Sequence, residues 1–125
     1  MIVLANATSD TVNTIKAANE FGITKGQTIV PSIMFINDIH ALGLKTAQGL
    51  TLTEGFYWNR NEKTRAWARR FFEKAKKMPS MAHAGVYSSV LNYLRAVDKT
   101  GSDDGTTVMK WLKTNPIQDD LFQGK

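Results

Sequence analysis

Short unbroken apolar runs alternate with helical periods through the first fifty residues. Ile2-Val3-Leu4-Ala5 is a run of the kind that fills a parallel strand covered on both faces, and Asn6-Ala7-Thr8-Ser9-Asp10 turns out of it into a helix. Over residues 9–21, Val12, Ile15 and Ala18 recur on one side, Ser9 or Asp10 is available as N-cap, and Gly22 supplies the stop. The run Ser32-Ile33-Met34-Phe35-Ile36 predicts a second strand, with Pro31 tolerated at its entrance. Asn37 and Asp38 then cap a short helix carrying Ile39, Ala41, Leu42 and Leu44 to Gln48, and Gly49 ends it. Residues 50–57 predict a third strand. This alternation is that of an α/β fold with a parallel sheet and flanking helices.

The second half reads differently. Asn59 followed by Glu62 has the spacing of a capping box, and Trp67, Ala68, Phe71, Phe72 and Ala75 recur on one helical face until Met78-Pro79 breaks it. A second helix over residues 82–99 presents Val86, Val90, Tyr93, Leu94 and Val97 as an apolar stripe, with Gly101 behind it. A third, capped by Ser102 or Asp103, carries Val108, Trp111 and Leu112 to Asn115-Pro116. Three successive amphipathic helices need a sheet or one another to cover them, and no strand remains in this segment to do so. The first strand likewise has nothing before it to pair with. The pattern predicts a piece of a larger fold.

Composition narrows the function classes. With 42% hydrophobic and 22% charged residues over 125 positions, the chain suits one globular core and is not disordered. It has no cysteine, which excludes disulfides, thiolate metal sites and a cysteine nucleophile. No apolar stretch reaches the ~20 residues of a membrane span, and the N-terminus lacks the order of a signal peptide. His40 and His83 are the two histidines, far apart and outside metal-ligand spacing, and neither a phosphate-binding glycine loop nor a nucleophile elbow occurs. No catalytic residue, metal site or cofactor is predicted, and the chain reads as a protein without enzymatic activity.

The formal charge of +5 raises nucleic acid as a partner. Its cations, however, gather at Lys63, Arg65, Arg69, Arg70, Lys74, Lys76 and Lys77, the pattern of a solvated face opposite an apolar stripe. A small basic α/β domain binding nucleic acid through Arg65, Arg69 and Arg70 is therefore the alternative reading, and the leading one has no nucleic acid partner. The more informative positions are the ends of the first two strands, because ligands of open α/β sheets bind outside the carboxyl ends of parallel strands. Asn6, Ala7 and Thr8 stand at the first end, Asn37 and Asp38 at the second.

The order Ile2-Val3-Leu4-Ala5-Asn6-Ala7, Phe35-Ile36-Asn37-Asp38-Ile39-His40-Ala41-Leu42-Gly43-Leu44, Thr46-Ala47-Gln48-Gly49-Leu50, Tyr57-Trp58, Thr64-Arg65-Ala66-Trp67, Met78-Pro79-Ser80-Met81 and Ala84-Gly85-Val86-Tyr87 resembles the latter part of an ABC transporter substrate-binding protein of the branched-chain amino acid type, a type I periplasmic binding protein. The resemblance is collinear and covers nearly the whole chain. It implies two α/β lobes joined by crossing strands and closing on a ligand by a hinge motion. It places residues 1–50 in the second, C-terminal lobe, residues 51–58 in a crossing strand, and residues 59–125 in helices that return to the first lobe. The first lobe, the start of the second and the export signal then lie outside this chain, and the parent would be periplasmic or otherwise extracytoplasmic. The partners implied are an amino acid or small organic or aromatic acid and an ABC permease. Asn6, Ala7, Thr8, Asn37 and Asp38 match the ligand-contacting loops, with Asp38 suited to a ligand ammonium group. Taken by itself, the chain is expected to form a homodimer or larger assembly, by exchange of segments if it folds alone.

Overall fold

The computed structural model describes residues 1–124, with side chains through Phe122. The chain divides into two compact units, Met1–Gly55 and a second from Phe56 onward.

In the first unit β1 (Ile2–Ala7) and β2 (Ile29–Ile33) pair in parallel, with Ile2 opposite Ile29, Val3 opposite Val30 and Leu4 opposite Pro31. The register slips between Leu4 and Ala7 and resumes with Ala7 opposite Ile33. Between them run α1 (Thr8–Glu20) and a 3-10 turn (Ile23–Lys25), and α2 (Ile36–Leu42) follows β2. Ile15 and Ala18 of α1, Leu4, Ile29, Met34 and Leu42 form the core, with Ile2, Val12, Ile39, Ala47 and Leu50 packed on it. One sheet face is uncovered, since Val3 and Ala5 are exposed.

Several sequence expectations for this unit move. The second strand lies at Ile29–Ile33 rather than 32–36, so Pro31 stands inside it. A proline lacking its N–H is tolerated there because the sheet has two strands and every strand is an edge. Phe35, extended at φ −115°, is the N-cap of α2, and Asn37 and Asp38 lie inside its first turn instead of capping it from outside. The helix stops at Leu42, six residues short of Gln48, because Gly43 adopts φ +87°, which no helix continues through. Residues 51–57 form no strand. They do follow β2, for Thr51 donates its N–H to the Ile29 carbonyl at 3.4 Å. The N-cap of α1 is Ala7, with no side-chain cap, rather than Ser9 or Asp10. Gly22, at φ +70°, ends this first helical segment as its position suggests.

The second unit holds α3 (Glu62–Ala75), α4 (Met81–Thr100) and α5 (Gly105–Thr114), and it ends in a short antiparallel ladder of β3 (Ile117–Gln118) with β4 (Gln123–Gly124). The α3 cap is Asn61 with Thr64, each side chain bonding the other's backbone N–H at 3.0 Å, not Asn59 with Glu62. Lys76 in the left-handed region ends α3 before Met78-Pro79 is reached. The α5 cap is Asp104, not Ser102 or Asp103. Phe56, Trp67, Ala84 and Leu121 make the core, where Phe56 meets Trp67 edge-on at 5.5 Å.

The buried face of α4 is Ala84, Ser88, Asn92 and Ala96, whereas its apolar stripe is open over most of its length, with Val86 66% and Leu94 56% exposed and Val97 half-buried. Among the described residues, no helix is long and apolar enough to cross a membrane.

Candidate functional site

Parallel pairing with Ala7 opposite Ile33 brings the carboxyl ends of β1 and β2 to one edge of the first unit. The chain leaves that edge twice. It enters α1 directly at Thr8, and after Met34 and Phe35 it enters α2 at Ile36.

At the first exit the polar side chains tie strand to helix. Asn6 donates from Nδ2 to Thr14 Oγ1 at 3.0 Å, and its Oδ1 accepts from Thr11 Oγ1 at 3.1 Å. Thr11 is fully buried, so this pair closes the turn from inside. Ala7 is extended and half-buried. Thr8 is exposed and held at φ +54°, a conformation that a β-branched residue rarely adopts. Such outliers persist where the surroundings over-determine them, and they gather at sites that bind.

At the second exit two carboxylates hold the start of α2. Asp38 Oδ2 accepts the Phe35 N–H at 2.8 Å, and Glu54 Oε1 accepts the Ile36 N–H at 3.2 Å. Burial pushes the Glu54 carboxyl above its ordinary value, and the charge of Asp38 adds to the rise against the lowering effect of the Ile36 N–H. The fold therefore brings Asn6, Ala7 and Thr8 to the same edge as Asn37 and Asp38, all five half-buried or exposed. Asn6 is occupied by α1, and Asp38 serves as the reciprocal cap of α2. Glu54 is the member of this cluster that sequence reasoning passed over. Its signal was an acid in the middle of a segment read as strand, between Thr53 and Gly55.

In the second unit a groove of about 710 Å³ runs between α3 and α4, floored by Trp67, Phe71, Val86 and Tyr87 and edged by Arg70 and Lys74. The basic helix beside it is partly neutralised, because Arg65 and Arg69 both reach Glu62, at 2.9 and 3.3 Å. Trp67 is 5% exposed and cannot stack on a base. His83 caps α4, its Nδ1 accepting the Ser80 N–H at 3.1 Å, and burial followed by the charge of Lys77 lowers its pKa. No group of three or more His, Asp or Glu side chains able to hold a metal ion occurs among the described residues.

The sequence model of a family described as "Periplasmic binding protein" matches residues 1–125. A crystal structure of a periplasmic binding protein from Burkholderia mallei is 56% identical, with a TM-score of 0.93 over 98% of this chain and 32% of that one. An amino acid ABC transporter substrate-binding protein from Pseudomonas fluorescens Pf-5 shares the fold at 24% identity and a TM-score of 0.77, over 94% of this chain and 32% of its own. The chain thus spans about a third of the length of these solved structures. No curated protein matches it.

Proposed function

The chain belongs to the periplasmic binding protein family, and from that premise we propose that it carries part of a solute receptor that delivers an amino acid or small organic acid to an ABC permease. The ligand meets the edge formed by Asn6, Ala7, Thr8, Asn37 and Asp38. The observation that carries this reading is the parallel register, which puts two helix starts side by side at the carboxyl ends of β1 and β2. Backbone N–H groups at the α1 start suit a ligand carboxylate, and the Asp38 carboxylate suits an ammonium group. Small Ala7 and Thr8 leave room at the first loop, which favours an aromatic or larger carboxylic acid over a small aliphatic amino acid.

Residues 1–50 belong to the second lobe, residues 51–58 to a crossing segment, and the helices from residue 59 onward to the first lobe. The bare stripe of α4 supports this division, because a lobe sheet would cover it. The parent acts outside the cytoplasm and binds its solute without transforming it.

The test is calorimetric titration of aliphatic, aromatic and dicarboxylic acids, with and without an α-amino group, into a family-length protein containing this segment. Saturable one-site heat with one of these classes is expected. Heat from none of them overturns the reading.

A further inference from the structure

Residues 51–55 close the first unit, and the division between the two units falls directly after Gly55. Two long-range hydrogen bonds help to dock this segment. Thr51 bonds the Ile29 carbonyl at the start of β2, and Glu54 bonds the Ile36 N–H at the start of α2. The segment thus runs from one end of β2 to the other and finishes at the strand-end edge.

We propose that Glu54 is a positioning residue: its carboxylate straps residues 51–55 to the first turn of α2 and so fixes that turn, with Asn37 and Asp38, at the strand-end edge. The division of labour between the two acids is visible in the geometry. Asp38, on α2 itself, bonds Phe35 across a single turn, so it organises the helix locally. Glu54 reaches the same turn from eighteen residues away, so it joins that turn to the segment leading out of the unit.

The strap responds to protons. Burial of the docked carboxyl disfavours its ionised form, and Asp38, the charged group facing Glu54 from α2, adds repulsion to it. Docked Glu54 consequently holds a proton more tightly than released Glu54, and acid favours the docked strap. As pH rises through the ordinary glutamate value of 4.5 and then the raised docked value, that advantage is lost. At neutral pH the strap is held by the hydrogen bond against the burial of its charge and the repulsion of Asp38.

The part of this proposal that concerns ligand positioning rests on the solute-receptor reading, but the strap is tested without ligand. Amide hydrogen exchange of the 125-residue chain, corrected for intrinsic rates, reports the Ile36 and Phe35 amides separately. Glu54→Ala removes the acceptor and should lower protection at Ile36 roughly three- to tenfold, the scale of one hydrogen bond, while Phe35 keeps its Asp38 bond. Glu54→Gln keeps an acceptor oxygen without the charge, so at pH 7 its Ile36 protection should equal or exceed that of the parent sequence. Between pH 7 and pH 4.5 protection should rise in the parent sequence and stay flat in Glu54→Gln. Unchanged Ile36 protection in Glu54→Ala, or Glu54→Gln behaving like Glu54→Ala, overturns the strap. A chain that binds no acid but shows these exchange patterns retains the strap and loses the receptor reading.

Discussion

Asp119 shows how one side chain can organise a segment that has almost no regular structure. It is 8% exposed. Its Oδ1 accepts the N–H groups of Leu121 and Phe122 at 2.8 and 2.7 Å, and its Oδ2 accepts from Ser88 Oγ at 2.5 Å and Asn92 Nδ2 at 3.1 Å. Burial opposes its ionisation, but these donors outweigh burial and hold the carboxyl below its ordinary 3.8. A depressed folded-state value means that Asp119 contributes stability above pH 3.8 and loses it as pH falls through the folded value. Asp119→Ala strands four donors, so a loss of about 1–3 kcal/mol is expected in urea denaturation. Trp58, Trp67 and Trp111 all lie in the second unit, and their fluorescence follows it specifically. An Asp119→Asn variant as stable as the parent sequence would refute this account. At the other end of the chain, Asp38→Ala in a family-length protein should weaken amino acid binding by about 1–3 kcal/mol, the scale of a charged hydrogen-bond partner. Unchanged affinity by calorimetry would leave Asp38 with its capping role alone.

The helix α4 carries two faces of opposite meaning. Ala84 and Ala96 are completely buried, while Val86, Val90 and Leu94 stand more than half open. Overpacking and surface substitution should therefore act in the order opposite to side-chain size. Ala96→Leu is expected to destabilise the second unit by about 1–3 kcal/mol, because an added isobutyl group meets a closed interior. Val90→Ser is expected to stay within about 0.5 kcal/mol in the 125-residue chain, because Val90 is more than half exposed. Thermal denaturation followed by Trp fluorescence checks both. In a family-length protein the second substitution should become costly if a lobe sheet covers the stripe. Of the α3 aromatics, Trp67 packs as its spacing suggests, near Phe71 and Tyr87 at 5.6 and 5.3 Å, whereas Phe72, placed on the same buried face by its spacing, is 45% exposed because it lies one position round the helix from Phe71, toward solvent.

For the molecule as a whole, the open α4 stripe leaves apolar surface in water, and the outer edge of β1 offers a row of backbone groups to a second strand. Burial stabilises by roughly 25 cal/mol per Å², so association of the chain with a second copy is expected. Light scattering at a mass well above 13.9 kDa meets this expectation, and a folded monomer at 13.9 kDa defeats it. Both observations that prompted it were legible early. The apolar run at residues 2–5, the 3.6-residue periods of α1, α3, α4 and α5, and the glycine stops at Gly22 and Gly101 follow from local periodicity and backbone preference, which a linear chain displays openly. So does the collinear likeness to periplasmic binding proteins. The face of α4 that turns inward was not legible, because burial depends on which neighbours arrive, and small residues are chosen when a neighbour comes close. The start of α2 was misplaced for a related reason: the run from Ile33 to Ile36 suits strand or helix alike, and the Asp38 cap, with Glu54 reaching back from eighteen residues away, settles it. Periodicity is written in adjacent residues, whereas the meeting of Glu54 with Ile36, and of Asp119 with Ser88 and Asn92, exists only once the chain has folded.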